Sequence, residues 1–136
     1  MRSLGRMSAE PIVQGFETVL DCDMAEAEER TRAALAAEGF GVLTEIDVAA
    51  TLRAKIGVER PDLKILGACN PVLANEVLSR DESLSLMLPC NGVLDAVSGG
   101  TRVRAIDPVS VLGAPELDDL AADAGARLGR VIAALG

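Results

Sequence analysis

Hydrophobic and polar positions change period several times along the chain. From Ile12 to Leu20, IVQGFETVL mixes β-branched, aromatic and polar residues in imperfect alternation, which predicts a strand. MAEAEERTRAALAAEG then reads as a helix: Asp23 stands at its N-cap with Glu26 three positions on, and Gly39 supplies a left-handed stop. Glu28 and Arg32 add an i, i+4 ion pair on its surface. GVLTEI predicts a short strand, after which Asp47 caps a second helix from Val48 to Ile56 that ends at Gly57. Two more strand-like runs follow, one ending at Cys69 and one running from Leu84 to Cys90, with a short helix between them. NGVLDAV and TRVRAI then form a hairpin about Ser98-Gly99-Gly100.

The closing stretch carries the clearest helical period. Leu117, Leu120, Ala121, Ala124, Leu128, Val131, Ile132 and Leu135 share one stripe. Pro115 suits the first turn, Asp118 and Asp119 complement the positive end of the helix dipole, and Arg127 and Arg130 lie towards the negative end. Strands and helices together predict an α+β fold. The expectation is one domain over residues 12–136, with a mostly antiparallel or mixed sheet and helices packed on one face. Residues 1–11 read as a flexible leader, because two arginines are followed by no apolar segment of the kind a secretion signal needs.

Composition narrows the function. At 136 residues the chain buries a substantial core, and with only Phe16 and Phe40 as aromatics that core is aliphatic. A net charge of -8 excludes the basic, aromatic-bearing surface of a nucleic-acid binder and disfavours an anionic membrane surface. No apolar run approaches the roughly 20 residues that span a bilayer. Three cysteines in a core-bearing domain suggest reduced thiols and a cytoplasmic location, not a disulfide scaffold.

Candidate chemistry concentrates where the chain repeats a dipeptide, at Cys69-Asn70 and Cys90-Asn91. Asn70 is a strong N-cap and Pro71 fits the first helical position, which places Cys69 just outside a helix N-terminus, where a thiolate is stabilised. Alternation puts Leu63, Ile65, Gly67 and Cys69 on one face of the first strand, and Leu84, Leu86, Leu88 and Cys90 on one face of the second. The residues between Asn70 and Ser83 suffice for a parallel crossover, which would bring the two strands to the same end of the sheet. The thiols would then lie within reach of each other, with Asn70 and Asn91 as hydrogen-bonding neighbours and Gly67 and Ala68 leaving room for something to approach. The competing reading is plain packing, since free cysteine is among the most buried residue types.

EGFGVLTEIDVAATLRAKIGV, KILGACNPVLANEVL and LMLPCN together resemble the prokaryotic domain-of-unknown-function 302 family. The resemblance implies a small α+β domain, a homodimer and no established activity. Its characteristic positions fall here on Glu45, Asp47, Gly67, Cys69, Asn70, Pro71, Pro89, Cys90 and Asn91. The chain departs from the pattern at Leu63, where relatives carry Tyr, and at Asn75 and Glu76, where a basic residue or His is common. That both cysteines belong to the motif strengthens the case for a thiol site.

The chain contains no histidine, which excludes Ser-His-Asp and Cys-His hydrolases in their usual form. A single pair of cysteines supplies too few ligands for structural zinc, and only a symmetric dimer would assemble four thiolates for zinc or an iron-sulfur cluster. No metal is therefore assigned, and no cofactor is identified. A dithiol that cycles with a disulfide, or an acidic Cys69 whose adduct Cys90 resolves, is the simplest thiol chemistry. Glu45, Asp47 and Lys64 are further ligand-binding candidates, although Asp47 already has a capping role, and Lys55 and Lys64 also suit plain solvation. Cys22 lies outside the motifs. Two functions remain open: a thiol-dependent redox, sulfur or small-ligand protein, and a non-catalytic homodimeric binding or assembly module whose cysteines are core.

Overall fold

The computed structural model describes residues 10–12, 14–112 and 114–136. Its centre is one six-stranded sheet in which every neighbouring pair is antiparallel. The strands are β1 (Glu10–Pro11), β2 (Gly15–Leu20), β3 (Gly41–Asp47), β4 (Leu63–Cys69), β5 (Cys90–Val97) and β6 (Gly100–Ile106), in the spatial order β1-β2-β6-β5-β4-β3. The helices are α1 (Met24–Ala37), α2 (Val48–Ile56), α3 (Pro71–Arg80), α4 (Pro108–Val111) and α5 (Asp118–Leu135). The fold class is α+β.

Register explains which side is covered. Leu94 lies opposite Val103, Val103 opposite Thr18, and Leu20 opposite Thr101, so these side chains share one face, and all are buried. Against that face pack α1, through Ala27 and Leu35, and α5, through Leu128, Val131, Ile132 and Leu135. Each fully buried leucine contributes about 1.5–3 kcal/mol. The other face carries charge: Arg104 pairs across the sheet with Glu17, and Arg102 with Asp95, each ion pair joining residues directly opposite one another.

Caps set the helix boundaries. Asp23 accepts from the Glu26 amide at 2.9 Å and Asp47 from the Ala50 amide at 2.9 Å, while Gly39 and Gly57 turn left-handed after α1 and α2. The stripe on α5 is buried as expected except at Leu120, which is half-buried, and its opening residues Pro115–Leu117 form a separate 3-10 turn. At the sheet's edges, β1 is two residues long and β3 carries a bulge between Val42 and Thr44. Of the expected leader, residues 1–9 lie outside the described residues, while Glu10 and Pro11 already pair with Glu17 and Phe16. Ile12 and Gly15 exchange backbone hydrogen bonds, closing a turn, so β2 begins at Gly15.

One expectation fails. The run from Leu84 to Leu88 is no strand: Glu82–Met87 is a 3-10 helix, and Leu86 projects into solvent. Asp81 accepts from both the amide and the hydroxyl of Ser83, and this local cap overrides the alternating Ser-Leu pattern that mimics a strand. The crossover is therefore not parallel. β5 starts at Cys90 and runs antiparallel to β4, with Cys90 opposite Ala68. Replacing Leu128 with Ala should cost about 2–5 kcal/mol in urea unfolding with an unchanged denaturant slope, as expected for a cavity under the sheet; a loss below about 1 kcal/mol would place the core elsewhere.

Candidate functional site

Because β4 ends where β5 begins, Cys69 and Cys90 still meet at one end of the sheet, through antiparallel register instead of a crossover. Both border a cavity of about 60 Å³. Its walls come from Phe40 after α1, from Leu73, Ala74 and Val77 of α3, and from Leu84, Met87, Leu88 and Pro89 in the 3-10 segment. Ile106, α4 with Val111 and Leu112, and Leu120, Ala121 and Ala124 of α5 complete it. Among the described residues no charged side chain lines it.

Asn70 holds this wall in place. Its side-chain oxygen accepts from the Leu73 amide at 3.2 Å, capping α3, and its amide donates to the Glu38 carbonyl at 3.4 Å. That carbonyl also accepts from Arg127 of α5 at 3.1 Å, so the end of α1, the start of α3 and the middle of α5 converge on one oxygen. Gly39, at φ +87°, brings its α-carbon so close that a Cβ there would sit 2.9 Å from the Asn70 amide nitrogen. Asn70 is buried, and its side chain both donates and accepts here.

Cys90 packs against the hydrophobic core. Burial, with a smaller contribution from the neighbouring Cys69 charge, pushes its thiol up to about 11. The thiol is therefore protonated at neutral pH, opposite to the acidic thiol that redox chemistry at this position calls for. Pro89, joined to Leu88 by a cis peptide bond, precedes Cys90, and its ring fills the space over Gly67 together with Thr44. A Cβ on Gly67 would lie 2.3 Å from the Thr44 hydroxyl and 2.9 Å from Pro89 Cγ. The room expected at Gly67 is thus taken up by the protein itself.

The remaining candidates lie elsewhere. Asn91 is exposed and does not border the cavity. Asp47 caps α2. Lys64 donates to Glu28 of α1 at 2.8 Å and sits 3.8 Å from Glu45, which also pairs with Arg32. This hydrogen bond raises the Lys64 pKa and lowers that of Glu28, as in a structural ion-pair network that ties α1 to β3 and β4. Of the residues singled out from the sequence, Cys69, Asn70 and Cys90 border the cavity; the rest of its walls carry no such signal. Asp107-Pro108 repeats the cap-then-proline signature of Asn70-Pro71, and it marks α4, the short helix that closes the far wall. Cys22 is half-buried at the opposite end of the sheet, where its carbonyl accepts from Thr101. Among the described residues no three His, Cys, Asp or Glu side chains group as a metal site, and no helix is long and apolar enough to cross a membrane.

The model of the domain of unknown function DUF302 matches residues 16–135. The chain belongs to the DUF302 family. Among solved structures, the crystal structure of an uncharacterized conserved DUF302 protein from Bacillus stearothermophilus superposes with a TM-score of 0.81 at 30% identity, over 88% of this chain and 96% of that one. No curated protein matches. The stretches KILGACNPVLANEVL and LMLPCN supply one end of the cavity: the close of β4, α3, and the 3-10 turn leading into β5.

Two outcomes test this geometry. Asn70→Asp retains the cap on α3 but loses the donor to Glu38, so it should destabilise by about 1–3 kcal/mol, and Asn70→Ala, which loses both bonds, by more; equal stability of wild type and Asn70→Asp in thermal melts would make the Glu38 bond idle. Folded Cys90 keeps its proton up to about pH 11, whereas the unfolded thiol releases it near 9.0. Its contribution to stability is complete below pH 9 and is lost as pH rises towards 11. Urea unfolding at intervals across that window should show the decline, and Cys90→Ala should remove the part that Cys90 causes.

Proposed function

We propose that the protein binds a small uncharged ligand in the cavity and presents the Cys69 and Cys90 thiols to it. The observation that supports this reading is the cavity wall, where Cys69 and Cys90 stand among mostly apolar lining residues with Asn70 beside them. A buried polar group without a partner costs about 1–3 kcal/mol, so the lining selects a ligand, or the part of one, with few polar atoms. Size selects too, because an apolar cavity of roughly 150 Å³ accepts benzene and this one is smaller. Binding takes precedence over thiol catalysis because the Cys90 proton stays in place at neutral pH. The dithiol-disulfide cycle is the second reading, supported by Cys69 and Cys90 lying at the same end of the sheet and bordering one cavity.

The proposal extends to a homodimer in a reducing, cytoplasmic compartment. All three cysteines are free thiols. Exposed Val72, Leu86 and Val109 adjoin the cavity-lining residues Leu73, Met87 and Pro108 in sequence, and they give a second copy apolar surface to cover. Native mass spectrometry of protein purified without oxygen should show two chains and an additional mass. That mass should be missing from Ala121→Leu, whose larger side chain fills the cavity while thermal melting confirms that it folds. A bare wild-type chain would overturn the ligand, and a single chain at micromolar concentration would overturn the dimer.

A further inference from the structure

One side of the cavity is built by a stretch that the core barely holds. Residues 71–88 supply Leu73, Ala74 and Val77 from α3 and Leu84, Met87 and Leu88 from the 3-10 segment. In α3 only Val77 is buried, and in the 3-10 helix Glu82–Met87 no residue is. Among the described residues, hydrogen bonds and ion pairs join this stretch to the rest of the molecule at its start and at Arg80. At the start, Asn70 accepts from the Leu73 amide through its side chain and from the Ala74 amide through its carbonyl, and is itself anchored on Glu38. At the end of α3, Arg80 donates to the Glu116 carbonyl at 2.8 Å and to the two carboxylate oxygens of Asp119 at 2.9 and 3.2 Å. The bonds of Ser79, Asp81 and Ser83 stay within the stretch. Glu116 adjoins the fully buried Leu117, so the far half of the Arg80 contact belongs to the core. A segment with so little buried apolar surface takes its position from its end bonds.

We propose that residues 71–88 form a lid over the cavity, hinged at Asn70 and at the start of β5, and latched by Arg80 on Glu116 and Asp119. The inference rests on the cavity being a ligand site, and it assigns the way in. Release of Arg80 gives up a two-pronged ion pair and a bond to a backbone carbonyl, and water takes their place. The Asn70 end stays put because its bonds are buried, so α3 swings at its Arg80 end and carries Leu84, Met87 and Leu88 away from α5. Cys90 is thereby uncovered. The Arg80 and Asp119 side chains are 34% and 66% exposed, so dissolved salt weakens the latch and leaves the buried hinge alone.

The test is alkylation of the full-length reduced protein by the uncharged reagent N-ethylmaleimide at neutral pH, followed cysteine by cysteine by peptide mass spectrometry. Cys22, at the opposite end of the sheet, is the internal reference for global unfolding. Asp119→Asn should speed alkylation of Cys90 about two- to fivefold, the range open to an exposed ion pair, and Arg80→Gln, which also frees Glu116, by more. High salt should speed it in the wild type and add nothing in Arg80→Gln, while Cys22 keeps its wild-type rate throughout. Equal Cys90 rates in wild type and Arg80→Gln would overturn the lid, as would a Cys22 rate that rises in step with that of Cys90. Should Arg80→Gln not fold, the salt series on the wild type decides, and a Cys90 rate indifferent to salt sinks the latch. A lid that opens as expected on a chain with no additional mass stands without the ligand reading; an additional mass on a chain whose Cys90 ignores Arg80 leaves the ligand and removes the lid.

Discussion

The Glu38 carbonyl is the point on which the site depends. A helix leaves its last carbonyls without internal partners, and burying one unpaired is costly. Here the carbonyl that follows α1 is met by Asn70 at the start of α3 and by Arg127 of α5. Three helices that approach the sheet from different parts of the chain are thereby fixed around one oxygen. The glycine after Glu38 permits the approach. The cavity is the space that remains between helices held in this way, so its shape follows from backbone hydrogen bonding more than from the side chains that line it.

Charge is kept away from that space. The ion pairs of Glu28, Arg32, Glu45 and Lys64 join α1 to β3 and β4, and those of Glu17, Arg104, Asp95 and Arg102 lie on the opposite face of the sheet. What the cavity offers instead is sulfur in apolar surroundings. In such a medium a thiol keeps its proton, so burial makes Cys90 a poor nucleophile at neutral pH.

Much of this was legible in the sequence, for identifiable reasons. Caps and stops at Asp23, Gly39, Asp47, Gly57 and Asn70 act through near neighbours, and each lies where the local pattern puts it. The hairpin about Ser98-Gly99 and the stripe on α5 are equally local. The run from Leu84 to Leu88 misleads because a two-residue alternation also fits a 3-10 turn once Asp81 caps it. The parallel crossover expected between Cys69 and Cys90 is replaced by an antiparallel return, which also brings the two residues to one end of the sheet. The second bond of Asn70 was beyond reach: its partner is thirty-two positions away, and nothing in the dipeptide announces it.

The two ends of the sheet have a bearing on how the protein behaves when crowded. An open edge of unpaired backbone groups is a template on which further chains add strand by strand. On one side the described edge strand, Glu10–Pro11, includes Pro11, which has no amide proton to offer. On the other, the bulge in β3 breaks the regular spacing of free donors and acceptors, and Glu45 and Asp47 set negative charge beside it. Neither margin suits amyloid-like growth, so the chain can be kept concentrated with its thiols reduced and its apolar cavity mouth uncovered without its sheet becoming a seed.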